Sequence, residues 1–115
     1  MASPVSRRSA PAFIWREVCE GWTFVTSDRL HVVLERMPPS TFEVRHVHSE
    51  THQFYYVLEG EATVELDGDR VRAAQGEGIE IPPGTVHQMR NDGDGYLEFL
   101  VMSSQPPRSD RVDLT

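Results

Sequence analysis

The chain has 115 residues, enough for one domain that buries roughly 65% of the surface of its unfolded chain. Its 18 acidic and 11 basic residues give a net charge of −7, which argues against nucleic acid or an anionic membrane surface as a partner. The lone Cys19 permits no internal disulfide, and no apolar run reaches the ~18 residues of a membrane span. We therefore expect a cytoplasmic protein.

The two ends of the chain differ in composition from its centre. Residues 1–11 contain two prolines, and residues 104–115 combine the pair Pro106-Pro107 with mixed charges. Such segments bury little apolar surface, so we predict a flexible tail at each end. The folded domain is then expected to span residues 12–103.

Between these tails the hydrophobic pattern has a period of two, which is typical of β-strands. Turn dipeptides such as Glu59-Gly60 and Asp67-Gly68 separate short runs of residues that favour strands. The predicted strands lie at 13–18, 22–26, 30–36, 41–48, 53–59, 61–66, 69–73, 78–81, 86–90 and 96–102. Many short strands with regular turns predict an all-β sandwich or barrel.

The predicted strand 30–36 has one plainly apolar face and one mixed face. Leu30, Val32 and Leu34 share the apolar face, whereas His31 and Glu35 lie on the other. If the mixed face points into the barrel, His31 is a candidate for a further metal ligand or a proton carrier, and Glu35 is a second titratable group.

The predicted strand 53–59 is apolar on both faces, since its centre reads FYYVL. A strand with one solvated face should instead alternate between apolar and polar residues. One face is therefore expected to line the barrel while a second sheet or a second subunit covers the other. This pattern predicts a homodimer.

Four potential metal ligands lie within a short stretch of the chain. His46 and His48 alternate on one strand, so their side chains share a face about 6.6 Å apart at ~3.3 Å per residue. Gln53 begins the next strand, and His87 follows the rigid turn 82–84. Imidazole nitrogen and amide oxygen suit a divalent transition metal such as Fe, Mn, Ni, Cu or Zn.

These residues resemble the two signature blocks of the cupin family. The first block is glycine, five residues, His-x-His, three or four residues, glutamate, six residues and glycine, and its last position is Gly60 here. The second block is glycine, five residues, Pro-x-Gly, two residues, histidine, three residues and asparagine. The chain matches every position of that second block, with Gly76, Pro82, Gly84, His87 and Asn91. The resemblance implies a double-stranded β-helix, the jelly-roll barrel of cupins, with a metal on His46, His48, Gln53 and His87.

The chain departs from the first block at two positions. Ser40 replaces its first glycine, which affects a turn, and Gln53 replaces its glutamate. Three histidines and a glutamine add no negative charge, so the ion should be a stronger Lewis acid that favours an anionic ligand. An amide also cannot act as a base near neutral pH. His52 is an alternative ligand, but the spacing to Gly60 and the strand parity favour Gln53.

The predicted pocket is apolar and aromatic. Its expected lining residues are Phe42, Val44, Tyr55, Val57, Met89 and Phe99. Such a pocket suits a small, partly apolar organic ligand with an oxygen donor. The resemblance implies a metal-dependent enzyme of the oxygenase, isomerase, cyclase or lyase type, or else a binding or sensing module without turnover. For an enzyme, proton transfer would fall to Tyr55, His31, Glu35 or His52.

Overall fold

The computed structural model describes residues 3–114, which form twelve β-strands and one short 3-10 helix at Pro107–Ser109. The strands are β1 Ala12–Trp15, β2 Cys19–Ser27, β3 Leu30–Met37, β4 Thr41–Phe42, β5 His46–His48, β6 Gln53–Glu59, β7 Glu61–Leu66, β8 Asp69–Ala74, β9 Gly78–Ile81, β10 His87–Asn91, β11 Leu97–Ser103 and β12 Arg111–Asp113. Within this range no helix has the length and apolar character needed to cross a membrane.

The strands form two six-stranded antiparallel sheets that face each other. The first sheet has the order β1-β2-β3-β11-β6-β9. The second has the order β12-β5-β10-β7-β8, and β4 also pairs with β10. The prediction of an all-β jelly-roll barrel is confirmed, and the period-two pattern explains it, because alternate residues of each strand enter the space between the sheets.

The hydrophobic core lies between the two sheets. Val57 on β6 and Phe99 on β11 are partners in the first sheet, and Val64 and Met89 are partners in the second. All four are almost completely buried. This core closes one part of the barrel interior and leaves the remainder for a cavity.

The predicted strand 41–48 is interrupted. In its first part, the interruption reverses which residues face the interior of the barrel. It divides into β4 and β5, with residues 43–45 outside both strands. Phe42 is 40% exposed and lies under the Arg16 guanidinium, 4.6 Å from the ring centroid. Glu43 faces the interior instead. The expectation that Phe42 lines the pocket assumed one continuous strand and is corrected.

The C-terminal segment, residues 104–114, is ordered rather than a flexible tail. It contains the 3-10 helix and β12, which pairs antiparallel with β5 from Arg111↔His48 to Asp113↔His46. The Leu114 N–H also donates to the Arg45 carbonyl at 2.7 Å. Composition alone predicted a tail because the segment buries few apolar side chains. It is held instead by backbone pairing to the edge of β5.

The turn before β10 is tied to β5. Gly84 has a φ of +79° and its N–H donates to the His48 carbonyl at 2.7 Å. At the far end of β10, the buried Asn91 amide donates to the carbonyls of Met37 and Gly95, each at 2.9 Å. These contacts fix β10 at both ends and so fix where His87 points.

Candidate metal centre

Three histidines from two neighbouring strands converge inside the barrel. His46 and His48 lie on β5, and His87 lies opposite His46 on β10. One ring nitrogen from each lies within 4.8 Å of the other two. All three residues are at most 3% exposed. The structure thus brings together the three histidines that the sequence singled out, in positions suited to bind a metal ion.

Hydrogen bonds define which nitrogen of each ring is free. His46 Nδ1 lies 2.8 Å from the Val44 carbonyl, and His87 Nδ1 lies 2.8 Å from the Thr85 carbonyl. His48 Nδ1 lies 3.0 Å from a carboxylate oxygen of Asp110. Each acceptor requires a proton on Nδ1, which leaves the Nε2 lone pair available for a metal.

Burial keeps two of these rings neutral. Desolvation, reinforced by the neighbouring His87, lowers the pKa of His46 to about 3. Desolvation likewise lowers the pKa of His87 to about 4. Near neutral pH these two rings are therefore unprotonated at Nε2, and protons do not compete with a metal for them.

Five buried side-chain atoms lack hydrogen-bond partners among the described residues, and two of them, His87 Nε2 and Gln53 Oε1, belong to the predicted ligands. Gln53 is 4% exposed, and its amide Nε2 donates to Ser103 Oγ at 3.0 Å, which turns Oε1 away from Ser103. Buried polar groups are rarely left unpaired, because each costs roughly 1–3 kcal/mol. Both atoms are acceptors of the kind that a divalent cation uses, so these residues fit the implied metal.

His52, the alternative to Gln53, lies away from the site. It is half exposed, and its Nε2 is 2.7 Å from Glu80 Oε2 on the surface. The Gln53 side chain instead enters the barrel with Tyr55, as the strand parity predicts.

A cavity of about 710 Å³ opens beside the histidines. His46, His48, Gln53 and Tyr55 line one part of it. The mixed face of β3, with His31, Val33 and Glu35, lines another part. That face therefore points inward, the arrangement that sequence analysis required for His31 and Glu35 to serve the site.

Two carboxyl groups share this cavity. Burial, with a smaller effect of the Glu43 charge, raises the pKa of Glu35 to about 8. Burial raises the pKa of Glu43 to about 7, although a hydrogen bond from the Met89 N–H at 2.9 Å opposes the rise. Sequence reasoning missed Glu43 because an unbroken strand 41–48 would have pointed it outward.

Two further groups in the cavity are shifted by burial. Desolvation and the nearby carboxyl groups raise the pKa of Tyr55 well above its ordinary value, so its hydroxyl keeps its proton. Desolvation, followed by the positive charge of Arg108, lowers the pKa of His31. Both are therefore neutral hydrogen-bonding groups near neutral pH.

The five predicted lining residues other than Phe42 divide into two groups. Val44 and Tyr55 line the cavity. Val57, Met89 and Phe99 lie in the hydrophobic core instead, where Phe99 contacts Tyr55 with the ring centroids 5.8 Å apart. These three side chains pack behind the cavity wall and do not line the space that a ligand would fill.

Sequence reasoning also missed Asp110, which orients His48. Its partner lies 62 residues away in the chain, so no local spacing connects them. A single acidic residue in a polar C-terminal segment carries no signal of such a role.

Residues 33–103 match the cupin domain family, which covers more than half of the chain. The chain belongs to the cupin family. Its barrel and its histidine positions agree with both signature blocks.

Two curated relatives and one solved structure illustrate the likeness. An uncharacterized protein of Methanocaldococcus jannaschii is 33% identical over 70 residues, 61% of this chain and 56% of that protein. The polyketide synthase CurC of Streptomyces cyaneus is 36% identical over 58 residues, 50% of this chain and 38% of that protein. The chain thus spans little more than half of the first relative and less of the second.

The solved structure is the polyketide cyclase RemF of Streptomyces resistomycificus. It superposes with a TM-score of 0.82 at 24% identity, covering 100% of this chain and 87% of that one. At this identity the likeness shows a shared cupin fold.

Proposed function

We propose that this cupin is a metal-dependent enzyme that acts on a small, partly apolar organic molecule bearing an oxygen donor. Oxygenase, isomerase, cyclase and lyase chemistry all suit such a site, and the cavity favours the last three, which move protons. The observation that carries the proposal is that Glu35, Glu43 and Tyr55 line the same cavity as His46 and His48. A site that only bound a ligand would not need protonatable carboxyl groups at that place.

The metal would be held by His46, His48 and His87 through Nε2 and by Gln53 through Oε1. Fe, Mn, Ni, Cu and Zn all accept such ligands. When bound, a divalent ion supplies a Lewis acid that polarises an oxygen of the substrate. Because none of the four ligands is charged, the site should accept an anionic donor such as a carboxylate, enolate or phenolate.

Two carboxyl groups of the chain, those of Glu35 and Glu43, would transfer protons to and from the substrate. Glu35, with its pKa raised to about 8, is mostly protonated at neutral pH and can donate from its carboxyl group. Glu43, with a pKa of about 7, divides between its two forms and can accept a proton. A protonated and a deprotonated carboxyl in one cavity provide an acid and a base, which is the arrangement that isomerisation, cyclisation or elimination needs.

The electrostatics of the cavity wall support an anionic ligand. Arg108 and Arg111 of the C-terminal segment both line the cavity of a protein whose net charge is −7. Arg111 is paired with Asp113 at 2.6 Å, whereas Arg108 makes no salt bridge within residues 3–114. An unpaired guanidinium at this wall would attract a carboxylate or phenolate.

The names of the similar proteins agree with such chemistry without fixing the substrate. CurC is named as a polyketide synthase, and RemF as a polyketide cyclase. Cyclisation of an oxygen-rich organic molecule therefore belongs among the first reactions to assay.

The first experiment is elemental analysis of protein purified without chelator or affinity metal, beside the His87→Ala variant. We expect about one equivalent of one transition metal in the native protein and none in the variant. Iron would direct assays to oxygen uptake, and zinc or nickel to isomerase, cyclase and lyase substrates. Native protein that stays metal-free after reconstitution would refute the proposal.

The second candidate is a binding or sensing module that holds a metal-bound ligand without turnover. It is favoured by Gln53, because the amide at the family's glutamate position brings no base to the metal. The Glu35→Gln variant separates the two functions. An enzyme should lose turnover while keeping ligand affinity, whereas a binding module has no turnover to lose.

We further propose that two copies of the chain associate through the outer face of the first sheet. On β6 the inner residues are buried, but Phe54 and Leu58 on the outer face remain 40% and 39% exposed. Sedimentation velocity should show a dimer that Leu58→Asp dissociates and Val112→Asp, a matched exposed position on the other sheet, does not. Sedimentation of the native chain as a monomer at micromolar concentration would contradict this.

A further inference from the structure

The Asp110 carboxylate accepts four hydrogen bonds in a nearly buried position. His48 Nδ1 lies 3.0 Å from Oδ1, and the Thr51 hydroxyl donates to the same oxygen at 2.7 Å. The backbone N–H groups of Glu50 and Thr51 donate to Oδ2, each at 2.7 Å. The Asp110 side chain is only 8% exposed. This carboxylate is therefore fixed in place by the loop that follows β5.

His48 differs from the other two histidines in how its ring is oriented. His46 and His87 each use a backbone carbonyl two residues earlier in the chain, so the backbone just before each strand sets their orientation. His48 relies on a side chain 62 residues away. A carboxylate accepts and cannot donate, so it holds the proton on Nδ1 and directs the Nε2 lone pair toward the other rings. Its negative charge also makes the ring a stronger donor to a metal.

The segment that carries Asp110 also forms part of the cavity wall. Pro106, Pro107, Arg108 and Arg111 line the cavity on either side of Asp110. β12 then pairs with β5 along the whole length of that strand, from Arg111↔His48 to Asp113↔His46. One element therefore touches both a candidate metal ligand and the space that a substrate would fill.

We propose that Asp110 is the positioning residue for His48, and that through it the C-terminal segment is coupled to metal occupancy. The inference rests on the proposed metal site and adds a regulatory link to it. A metal held by His48 Nε2 would strengthen the Nδ1–H bond to Asp110, which would stabilise the segment against β5. By reciprocity, a stably docked segment raises metal affinity by the same factor.

The test compares Asp110→Asn with Asp113→Asn as a matched control. Asp113 lies in the same segment, but its side chain is 59% exposed and, among residues 3–114, pairs only with Arg111. Metal affinity is measured by competition titration with Zn²⁺ and Co²⁺. Loss of a carboxylate behind a histidine ligand typically weakens metal binding 10–100-fold, and we expect this for Asp110→Asn. The metal affinity of the Asp113→Asn control should stay within about threefold of that of the native protein.

A readout on the metal-free protein isolates the positioning role. Nitrogen-15 NMR of the histidine rings should show His48 as the Nδ1–H tautomer in the native chain and in Asp113→Asn. In Asp110→Asn we expect a mixture of tautomers, because the amide can also donate. A change in protein stability alone would not move this signal. If Asp110→Asn fails to fold, Thr51→Val replaces it, since that change removes one hydrogen bond to the same carboxylate and leaves His48 intact.

Hydrogen exchange tests the coupling. The backbone amides of residues 111–113 should exchange more slowly when Zn²⁺ is added to the native protein, and this protection should be lost in Asp110→Asn. Metal affinity of Asp110→Asn within threefold of native, with an unchanged His48 tautomer, overturns the positioning role. If Zn²⁺ does not slow hydrogen exchange at residues 111–113 of the native protein, the coupling is overturned. A native chain that binds no metal overturns both the proposed function and this inference. Failure of the Asp110 tests in a chain that does bind metal overturns this inference alone, so the two failures are distinguishable.

Discussion

The raised pKa of Glu35 predicts that the Glu35→Gln variant is more stable than the native chain above pH 5. Burial raises this pKa from about 4.5 to about 8. Below pH 4.5 the carboxyl is protonated in both the folded and the unfolded state, so the substitution changes the free energy of unfolding little. As the pH rises toward 8, the unfolded state releases the proton and the folded state keeps it. The native chain therefore loses stability across this window.

The magnitude follows from the size of the shift. At 1.36 kcal/mol per pKa unit, the full rise corresponds to at most roughly 5 kcal/mol at pH 8 and above. The Glu35 side chain faces a cavity that opens to solvent, so we expect about half of this, about 2–3 kcal/mol. Glutamine keeps the shape and polarity of the side chain without the charge.

The assay is urea unfolding followed by tryptophan fluorescence, from pH 4 to pH 9, in the presence of a chelator. His46, His87 and Glu43 also make stability depend on pH, but they are common to both proteins, so the difference between the two curves reports Glu35 together with its coupling to Glu43. Glu61→Gln, at an exposed position of β7, serves as the control. A Glu35→Gln difference no larger than that of the control would refute the raised pKa of Glu35.

Four further outcomes follow from the site and its turns. His48→Ala should bind less than a tenth of an equivalent of metal while its circular dichroism keeps the β signature, and full metal content would contradict the ligand assignment. Gln53→Glu should keep the metal but bind anionic ligands such as oxalate about tenfold more weakly, because the added charge opposes them; tighter binding would undercut the charge argument. Gly60→Ala should lower the free energy of unfolding by about 2 kcal/mol or more, since φ is +84° and a Cβ would lie 2.5 Å from the Tyr96 carbonyl oxygen. Ser40→Gly should instead raise it by about 0.5 kcal/mol, because Ser40 has a φ of +66° where the family has glycine. Chemical denaturation measures both changes.

The amino-acid sequence determined the fold class and the three histidines, and it did so through local rules. A period of two in the hydrophobic pattern, cut by turn dipeptides, is enough to predict strands, and several predicted bounds agree with the structure, among them β6, β7 and β9. The His46–His48 spacing places both rings on one face of any strand. The turn before His87 belongs to a motif that the chain matches at every position.

Only the tertiary structure decided which other residues join the site. The chain between β4 and β5 leaves the extended strand, so Phe42 faces outward and Glu43 faces inward, against the parity of a continuous strand. Asp110 reaches His48 through pairing of β12 with the edge of β5, a contact between residues 62 positions apart. Local sequence encodes backbone periodicity, because side-chain direction alternates from one residue to the next. It does not encode where that alternation breaks or which distant segment completes a sheet, because both depend on how the whole chain packs.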